Sequence, residues 1–200
     1  YNWNLKEVVN FSKKENDQNV IIFRHPVIGK DGDLIFNTQN SKLIKLDKKG
    51  KILQVNEELK FHHSINLDKN GNVYACIADD NGNEGYAILD KNLKIIELHY
   101  LEDIYREHGL LPRIYSTNSN DPTHLNDVEP ILLGNSYNKV PNLVLLSLRS
   151  TSSVILYNQE KRKIVTIFDG LVSQQHDIDV INPDPLKISI FDNNIQRDKK

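Results

Sequence analysis

Three histidines open three similar segments of this sequence, and they are the residues whose type and spacing could support chemistry. The segments read HSINL (63–67), HLNDV (124–128) and HDIDV (176–180). An imidazole can act as a nucleophile or exchange protons, because its pKa lies near 6.5. His63, His124 and His176 are 61 and 52 residues apart, so a repeated fold is needed to bring them together.

Arg149 is the fourth residue that could take part in a reaction or bind a substrate. It ends the strongly apolar run NLVLLSLR, and a hairpin arginine in solvent does not need such a strand before it. We therefore interpret its guanidinium as a group that binds an anion near the histidines. The alternative is a solvated hairpin residue.

The histidines belong to a repeated pattern of strands and turns. Residues 33–55, 72–98 and 142–168 each contain three apolar runs separated by turns rich in Asn, Asp, Gly and Lys, which are strand and hairpin signals. One more short strand precedes each, at 25–29, 63–67 and 124–133, and a fourth unit begins at 176–181 and 187–193. Four antiparallel strands per repeat are typical of a β-propeller. A β-sandwich is the alternative, which we favour less because sandwiches do not repeat their hairpins.

The predicted fold is all-β, a propeller domain or part of one. Its predicted divisions are outer strands of a preceding blade (1–23), blades at 24–56, 61–98 and 123–168, an insertion at 99–122, and a partial blade at 174–193. Three and a half to four blades do not close a usual ring. We favour membership in a larger propeller over a small ring closed by the N-terminal strands, because an open ring exposes strand edges.

The insertion contains a predicted short helix near 100–109. Leu101, Ile104, Tyr105 and His108 fall at helical spacing, and Gly109 suits the helix C-cap. A loop should follow the helix.

The propeller places the three histidines together. The starts of the innermost strands converge at one end of the axis, so these imidazoles should face one small volume. His62 should point to the opposite face of its strand by two-residue alternation. His25, which precedes a proline, is interpreted as structural, and His99 and His108 belong to the insertion and have no repeat partner.

Composition excludes several classes of protein. Net charge is −2, pI is near 6.4, and the charges are mixed along the chain, so no nucleic-acid partner is indicated. No apolar run approaches the roughly 18 residues of a membrane span, and YNWNLKEVVN does not resemble a signal peptide; localisation is left open. The single cysteine, Cys76, is expected to pack as a small buried hydrophobe.

The order of the motifs resembles a known family. HHSINLDKNGN, THLND followed by SLRS, and QQHDIDV with KISIFDNN are similar to segments of the bacterial arylsulfotransferases, which transfer a sulfuryl group between phenols without a nucleotide donor. The resemblance covers residues 61 to 194. It implies a six-bladed propeller with a central site, a ping-pong reaction between small phenolic substrates, no cofactor, and an extracytoplasmic location.

The resemblance also implies roles for single residues. His176 in QQHD matches the nucleophile that becomes sulfated, and His63, His124 and Arg149 match an HHD, an H-x-N and an S-x-R motif around the sulfuryl group. Secondary candidates for the site are His62, Asn126 and Asp177. Ser64 stands where the family usually has Asp, which leaves open what orients the neighbouring imidazole. GNSYNKVPN lengthens the spacing between His124 and Arg149.

Two other functions fit the residues. Converging imidazoles could ligate a transition metal, although an arginine is unfavourable beside a cationic metal, so we expect no metal. A propeller without catalytic activity could instead serve as an interaction module, because fold alone does not imply function.

Overall fold

A computed structural model of the chain describes residues 23–38, 41–117, 121–131 and 143–194. In these residues the strands form antiparallel sheets in which consecutive strands pair. The first sheet contains β1 (Phe23–Ile28), β2 (Leu34–Thr38), β3 (Leu43–Leu46) and β4 (Ile52–Asn56), and the second contains β5 (Lys60–Leu67), β6 (Val73–Ala78), β7 (Glu84–Leu89) and β8 (Ile95–Tyr100). The third contains β9 (Leu125–Pro130), β10 (Leu143–Leu148), β11 (Ser153–Asn158) and β12 (Lys163–Asp169), and the fourth contains β13 (His176–Pro183) and β14 (Leu186–Phe191).

Aspartates build the repeated hairpin turns. In each turn the Oδ1 atom of an aspartate accepts hydrogen bonds from the backbone N–H groups two and four residues later, as at Asp47, Asp68, Asp79 and Asp90. The residue three positions after the aspartate has a positive φ, which favours glycine. Gly50, Gly71 and Gly82 occupy this position at 83 to 86°. The Asp and Gly signals of the sequence therefore mark real turns.

The first strands of successive sheets lie side by side. β1 packs against β5, β5 against β9, and β9 against β13. Asn66 Nδ2 on β5 donates to Asp127 Oδ1 at 2.9 Å and to the carbonyl of Val128 at 3.0 Å, and the backbone N–H of Ile178 donates to Asp127 Oδ2 at 2.6 Å. This arrangement confirms the predicted all-β fold of four-stranded antiparallel blades.

The core is continuous between blades. Tyr74, Tyr86 and Cys76 of the second sheet pack with Leu146 and Tyr157 of the third. Cys76 is fully buried, as expected, and burial raises the pKa of its thiol. The buried hydroxyl group of Tyr86 in this cluster has a hydrogen-bond partner, because it donates to Gln159 Oε1 at 2.9 Å.

The predicted helix is present between the second and third sheets. Helix α1 (Leu101–Glu107) buries Leu101, Ile104 and Tyr105, the apolar positions of the sequence pattern. Its C-cap is His108, one residue before the predicted cap, and Gly109 follows with φ of 67°. The predicted loop is wrong in part, because a second helix, α2 (Leu111–Tyr115), follows with a proline in its first turn.

His108 and His99 have structural contacts. The N–H of Ile164 on β12 donates to His108 Nε2 at 3.0 Å, so the neutral ring carries its proton on Nδ1 and donates to the carbonyl of Ile104 at 2.7 Å. His108 thereby ties α1 to β12. His99 lies on β8 and not in the predicted insertion, because it pairs with Tyr86 on β7; its ring stacks on Tyr86 with centroids 4.6 Å apart.

Some sequence predictions concern residues outside the described ranges. The outer strands predicted within 1–23 lie almost wholly there, and so does the GNSYNKVPN segment. No helix among the described residues is long and apolar enough to cross a membrane.

Gly85 provides a test of the close approach of β7 to β8. A Cβ atom at this position would overlap the carbonyl oxygen of His99 and lie 2.9 Å from the Tyr100 Cα. We expect Gly85→Ala to lower the free energy of unfolding by about 1–3 kcal/mol, measured by urea denaturation. Gly29→Ala is the control, because its Cβ would meet its nearest atoms at 3.7 and 3.9 Å; equal losses in both variants would contradict the packing.

Candidate functional site

His63, His124 and His176 meet at one end of the inner strands. The ring centroids of His63 and His124 are 4.7 Å apart, and the ring of His176 lies 6.3 and 6.2 Å from them. One ring nitrogen of each lies within 4.8 Å of the others. The structure therefore brings together the three histidines that the repeat pattern aligned.

A β-bulge at the start of each inner strand positions these side chains. His63 and His124 both have φ of 49°, and the pairing register shifts beside them. In the fourth sheet the shift lies between His176 and Ile178, and Asp177 has φ of 54°. Bulges re-aim side chains and are common beside functional sites.

His25 shares this backbone conformation. Its φ is 43° and the register shifts between Arg24 and Val27, so it corresponds to His63 more closely than the sequence suggested.

Asp121 orients His124, and sequence reasoning missed it. One carboxylate oxygen pairs with His124 Nδ1, and the other accepts the backbone N–H of His124 at 3.0 Å. The signal in the sequence was a carboxylate three residues before the histidine, in DPTH. Because Asp121 pairs with Nδ1, Nε2 is the ring nitrogen of His124 that can contact a substrate.

Residues on both sides of His176 hold its ring. Asn193 Nδ2 lies 2.9 Å from His176 Nδ1 and donates to the carbonyl of Gln174 at 2.5 Å. Asn126, a predicted secondary residue, donates through Nδ2 to the carbonyl of Gln175 at 2.6 Å. Asn193, in the motif FDNN, was not singled out from the sequence.

Arg149 lies beside the histidines. Its backbone N–H donates to the carbonyl of His124 at 3.1 Å, and its Nη2 donates to Gln174 Oε1 at 3.0 Å. The pKa of His176 is lowered by burial and then by the charge of Arg149. Asp177, the remaining secondary candidate, is exposed and raises that pKa through its charge.

His62 does not follow the predicted alternation. Its Nδ1 lies 2.9 Å from His63 Nδ1, because the bulge between Phe61 and Ile65 breaks the two-residue period. The prediction that His62 points to the opposite face is therefore wrong. Burial and then the neighbouring imidazole of His62 lower the pKa of His63 to about 3.

Arg24 is a second cation near the site that sequence reasoning missed. After burial and the neighbouring imidazoles, its charge adds to the lowering of the pKa of His62 and of His63. Its position directly before His25 was the available signal.

Ser64 turns away from the imidazoles. It is buried, its Oγ accepts a hydrogen bond from the N–H of Val128 at 3.3 Å, and it lies 3.6 Å from Cys76 Sγ. The side chain at position 64 therefore faces the third sheet, and the orientation of His63 depends on other groups.

The three histidines are the group of described residues that could hold a metal ion. Nitrogen ligands suit zinc, copper or iron. The guanidinium of Arg149 beside His176 disfavours a bound cation at the same point.

The family model described as arylsulfotransferase (ASST) matches residues 98–200, a little over half of the chain. This chain belongs to the arylsulfotransferase family. The match includes His124, Arg149 and His176, and His63 lies outside it. A comparison with curated proteins gives no match for this arylsulfotransferase-family chain.

Solved structures support the fold of this arylsulfotransferase-family chain. A protein of unknown function from Bacteroides caccae aligns with a TM-score of 0.55 and 9% identity over 82% of the chain and 52% of its own length. The Neurospora crassa Pan2 WD40 domain gives 0.53 and 9% over 82% and 43%, and streptogramin B lyase gives 0.52 and 14% over 87% and 55%. The chain thus spans about half the length of these structures, and identities this low show the fold alone.

Two carboxyl groups, those of Asp127 and Glu129, lie on the inner strand β9 of this arylsulfotransferase-family chain. Burial raises the pKa of Asp127 to about 6 and that of Glu129 to about 8. The neighbouring charges of Asp127, Asp179 and Asp177 add to the effect on Glu129, whereas a hydrogen bond from the backbone of Val180 opposes it.

Glu129 gives a pH-dependent prediction. The folded state keeps the proton up to about pH 8, whereas the unfolded carboxyl loses it near the ordinary 4.5, so stability falls as pH rises through this window. We expect Glu129→Gln to raise the free energy of unfolding at pH 7 by at least about 1 kcal/mol, with no gain below pH 4.5. Denaturation at both pH values measures this, with exposed Glu58→Gln as control. A gain independent of pH would contradict the assignment.

Proposed function

We propose that this protein transfers a sulfuryl group from an aryl sulfate to a phenol through a sulfated His176. The observation that supports it most directly is the convergence of His63, His124 and His176 beside Arg149 in a chain of the arylsulfotransferase family. The donor and acceptor are small phenolic compounds, and no cofactor is required.

The environment of His176 suits a nucleophile. Burial and the charge of Arg149 lower its pKa, so the ring is neutral at working pH and offers a nitrogen lone pair. In the first half-reaction this nitrogen bonds to sulfur, the sulfur–oxygen bond of the donor breaks, and the phenolate departs with the electron pair.

The surrounding groups suit the transition state. Sulfuryl transfer resembles phosphoryl transfer, in which charge on the peripheral oxygens is stabilised by positioned cations and hydrogen-bond donors. Arg149 supplies a fixed cation. The Asp121 carboxylate beside His124 compensates positive charge on that imidazole, which suits His124 to give a proton to the departing phenolate. In the second half-reaction a phenol loses its proton to an imidazole and attacks sulfur, and the bond to His176 breaks.

We propose that the chain forms part of a six-bladed propeller, with blades at 24–56, 61–98 and 123–168 and a partial blade at 174–193. The side-by-side packing of β1, β5, β9 and β13 supports this proposal, and it would place the histidines at the end of the central channel.

His176→Ala tests the proposed nucleophile. Incubation of intact protein with a chromogenic aryl sulfate should add one sulfuryl mass to the peptide containing His176. The variant should lose this label and lose phenol-dependent release of the chromophore by at least about 10³-fold.

His108→Gln is the control, because His108 lies in the insertion and contacts Ile104 and Ile164. Unchanged label in His176→Ala would place the nucleophile elsewhere. A folded protein without label or transfer would instead favour the interaction module.

A histidine-ligated metal is the second candidate, because the three ring nitrogens lie within 4.8 Å of one another. We expect purified protein to contain no stoichiometric zinc, iron or copper, measured by elemental analysis, and chelation to leave transfer unchanged. Stoichiometric metal that is lost in His63→Ala would overturn the sulfuryl proposal.

A further inference from the structure

We infer that Glu84 is a positioning residue that sets the tautomer of His63 through the ring of His62. The inference rests on the proposed sulfuryl transfer for its catalytic meaning. Nothing in the sequence pattern marked Glu84, which begins β7 of the second sheet.

The contact between the two histidines permits two tautomer states. His62 Nδ1 and His63 Nδ1 are 2.9 Å apart, so for two neutral rings one nitrogen carries the shared proton and the other accepts it. The pKa of each ring is lowered, chiefly by burial, and both are therefore neutral at pH 7. The nitrogen that carries the proton determines whether His63 Nε2 is a donor or a base.

Glu84 decides between the two states because its carboxylate is fixed. Oε2 accepts hydrogen bonds from the Thr123 hydroxyl and from the N–H of Leu125, the latter at 3.0 Å. Oε1 then lies 4.0 Å from His62 Nε2, which is buried and forms no hydrogen bond. Burial raises the pKa of Glu84, and the hydrogen bonds from Thr123 and Leu125 oppose that rise. As a carboxylate, its oxygen at this distance favours a proton on Nε2, since water is excluded there.

Other charges also face His62. Burial lowers the pKa of His62 most, and a hydrogen bond with the backbone of Ile77 raises it; His124 then lowers it, Asp121 raises it and Arg24 lowers it. Glu84 is the carboxylate whose oxygen lies at 4.0 Å from Nε2, and we infer that it selects the nitrogen that carries the proton.

The proton arrangement follows from this choice. With its proton on Nε2, His62 accepts at Nδ1, and His63 Nδ1–H donates to it. His63 Nε2 then holds a lone pair. In the second half-reaction the phenol O–H group donates a hydrogen bond to this nitrogen, and the phenol oxygen bonds to sulfur. The proton then becomes acidic enough to move to His63, whose pKa is lowered to about 3, and the electron pair of the breaking bond returns to His176.

This role accounts for Ser64. The family usually has an aspartate there, and Ser64 instead contacts Val128 and Cys76. Glu84, 20 positions later on another strand, supplies a carboxylate to the pair of imidazoles.

Glu84→Gln tests the inference. The amide oxygen should replace Oε2, because Thr123 and the N–H of Leu125 both donate to that position. The amide N–H₂ group then faces His62 Nε2 and favours a bare nitrogen there. His62 Nδ1–H donates to His63, and His63 Nε2 carries the proton.

The direct measurement is the ¹⁵N shifts of the ring nitrogens at neutral pH, which distinguish the two tautomers without any substrate. We expect His63 to change from an Nδ1–H to an Nε2–H tautomer in Glu84→Gln. Desulfation of labelled His176 by phenol should slow about 100-fold, the lower range for loss of a general base, while donor-dependent labelling changes less.

Glu97→Gln is the matched control, because Glu97 also contacts a histidine, at 3.1 Å from His99 Nε2, outside the site. It should leave the tautomer of His63 and the rates unchanged. An unchanged His63 tautomer in folded Glu84→Gln would overturn the inference even if the wild-type protein transfers sulfuryl groups. A changed tautomer in a protein without transfer would support the inference and count against the proposed function alone.

Discussion

The positive φ angle at the start of the inner strands is the constraint on which the site depends. At His63 and His124 it is 49°, a conformation that costs about 1–2 kcal/mol for a residue with a side chain. Glycine would avoid this cost but has no ring to offer. The strand pairing on either side of each bulge holds the backbone in this state. The bulge in β5 also brings His62 beside His63, so the same backbone distortion places these two imidazoles in contact.

Contacts between blades fix where the histidines lie relative to one another. Asp127 accepts hydrogen bonds from Asn66 of the second sheet and from the N–H of Ile178 in the fourth. Asn126, beside it on β9, holds the segment before His176. Burial raises the pKa of Asp127, and these hydrogen bonds offset part of the cost of burying the carboxyl group. The carboxyl group thereby links three inner strands.

The electrostatics of the site favour neutral imidazoles next to fixed cations. Arg149 and Arg24 contribute positive charge, and burial lowers the pKa of His62, His63 and His176. A sulfuryl group carries negative charge on its oxygens, so this environment suits the group while it keeps nitrogen lone pairs available. Carboxylates remain at the edges: Asp121 contacts His124, and Glu84 lies against His62.

Periodicity in the sequence determined the all-β fold, the first helix of the insertion and the shared position of His63, His124 and His176, because alternation and turn residues are local signals. The apolar run that ends at Arg149 indicated an anion-binding group, and the family motifs agreed with it. Alternation failed at His62, where a bulge that depends on pairing with β6 resets the period. Arg24, Asp121, Glu84 and Asn193 carried no repeat signal. Only the tertiary structure decided their roles, because their contacts join separate strands and loops, and a carboxylate orients an imidazole only when packing places the two together.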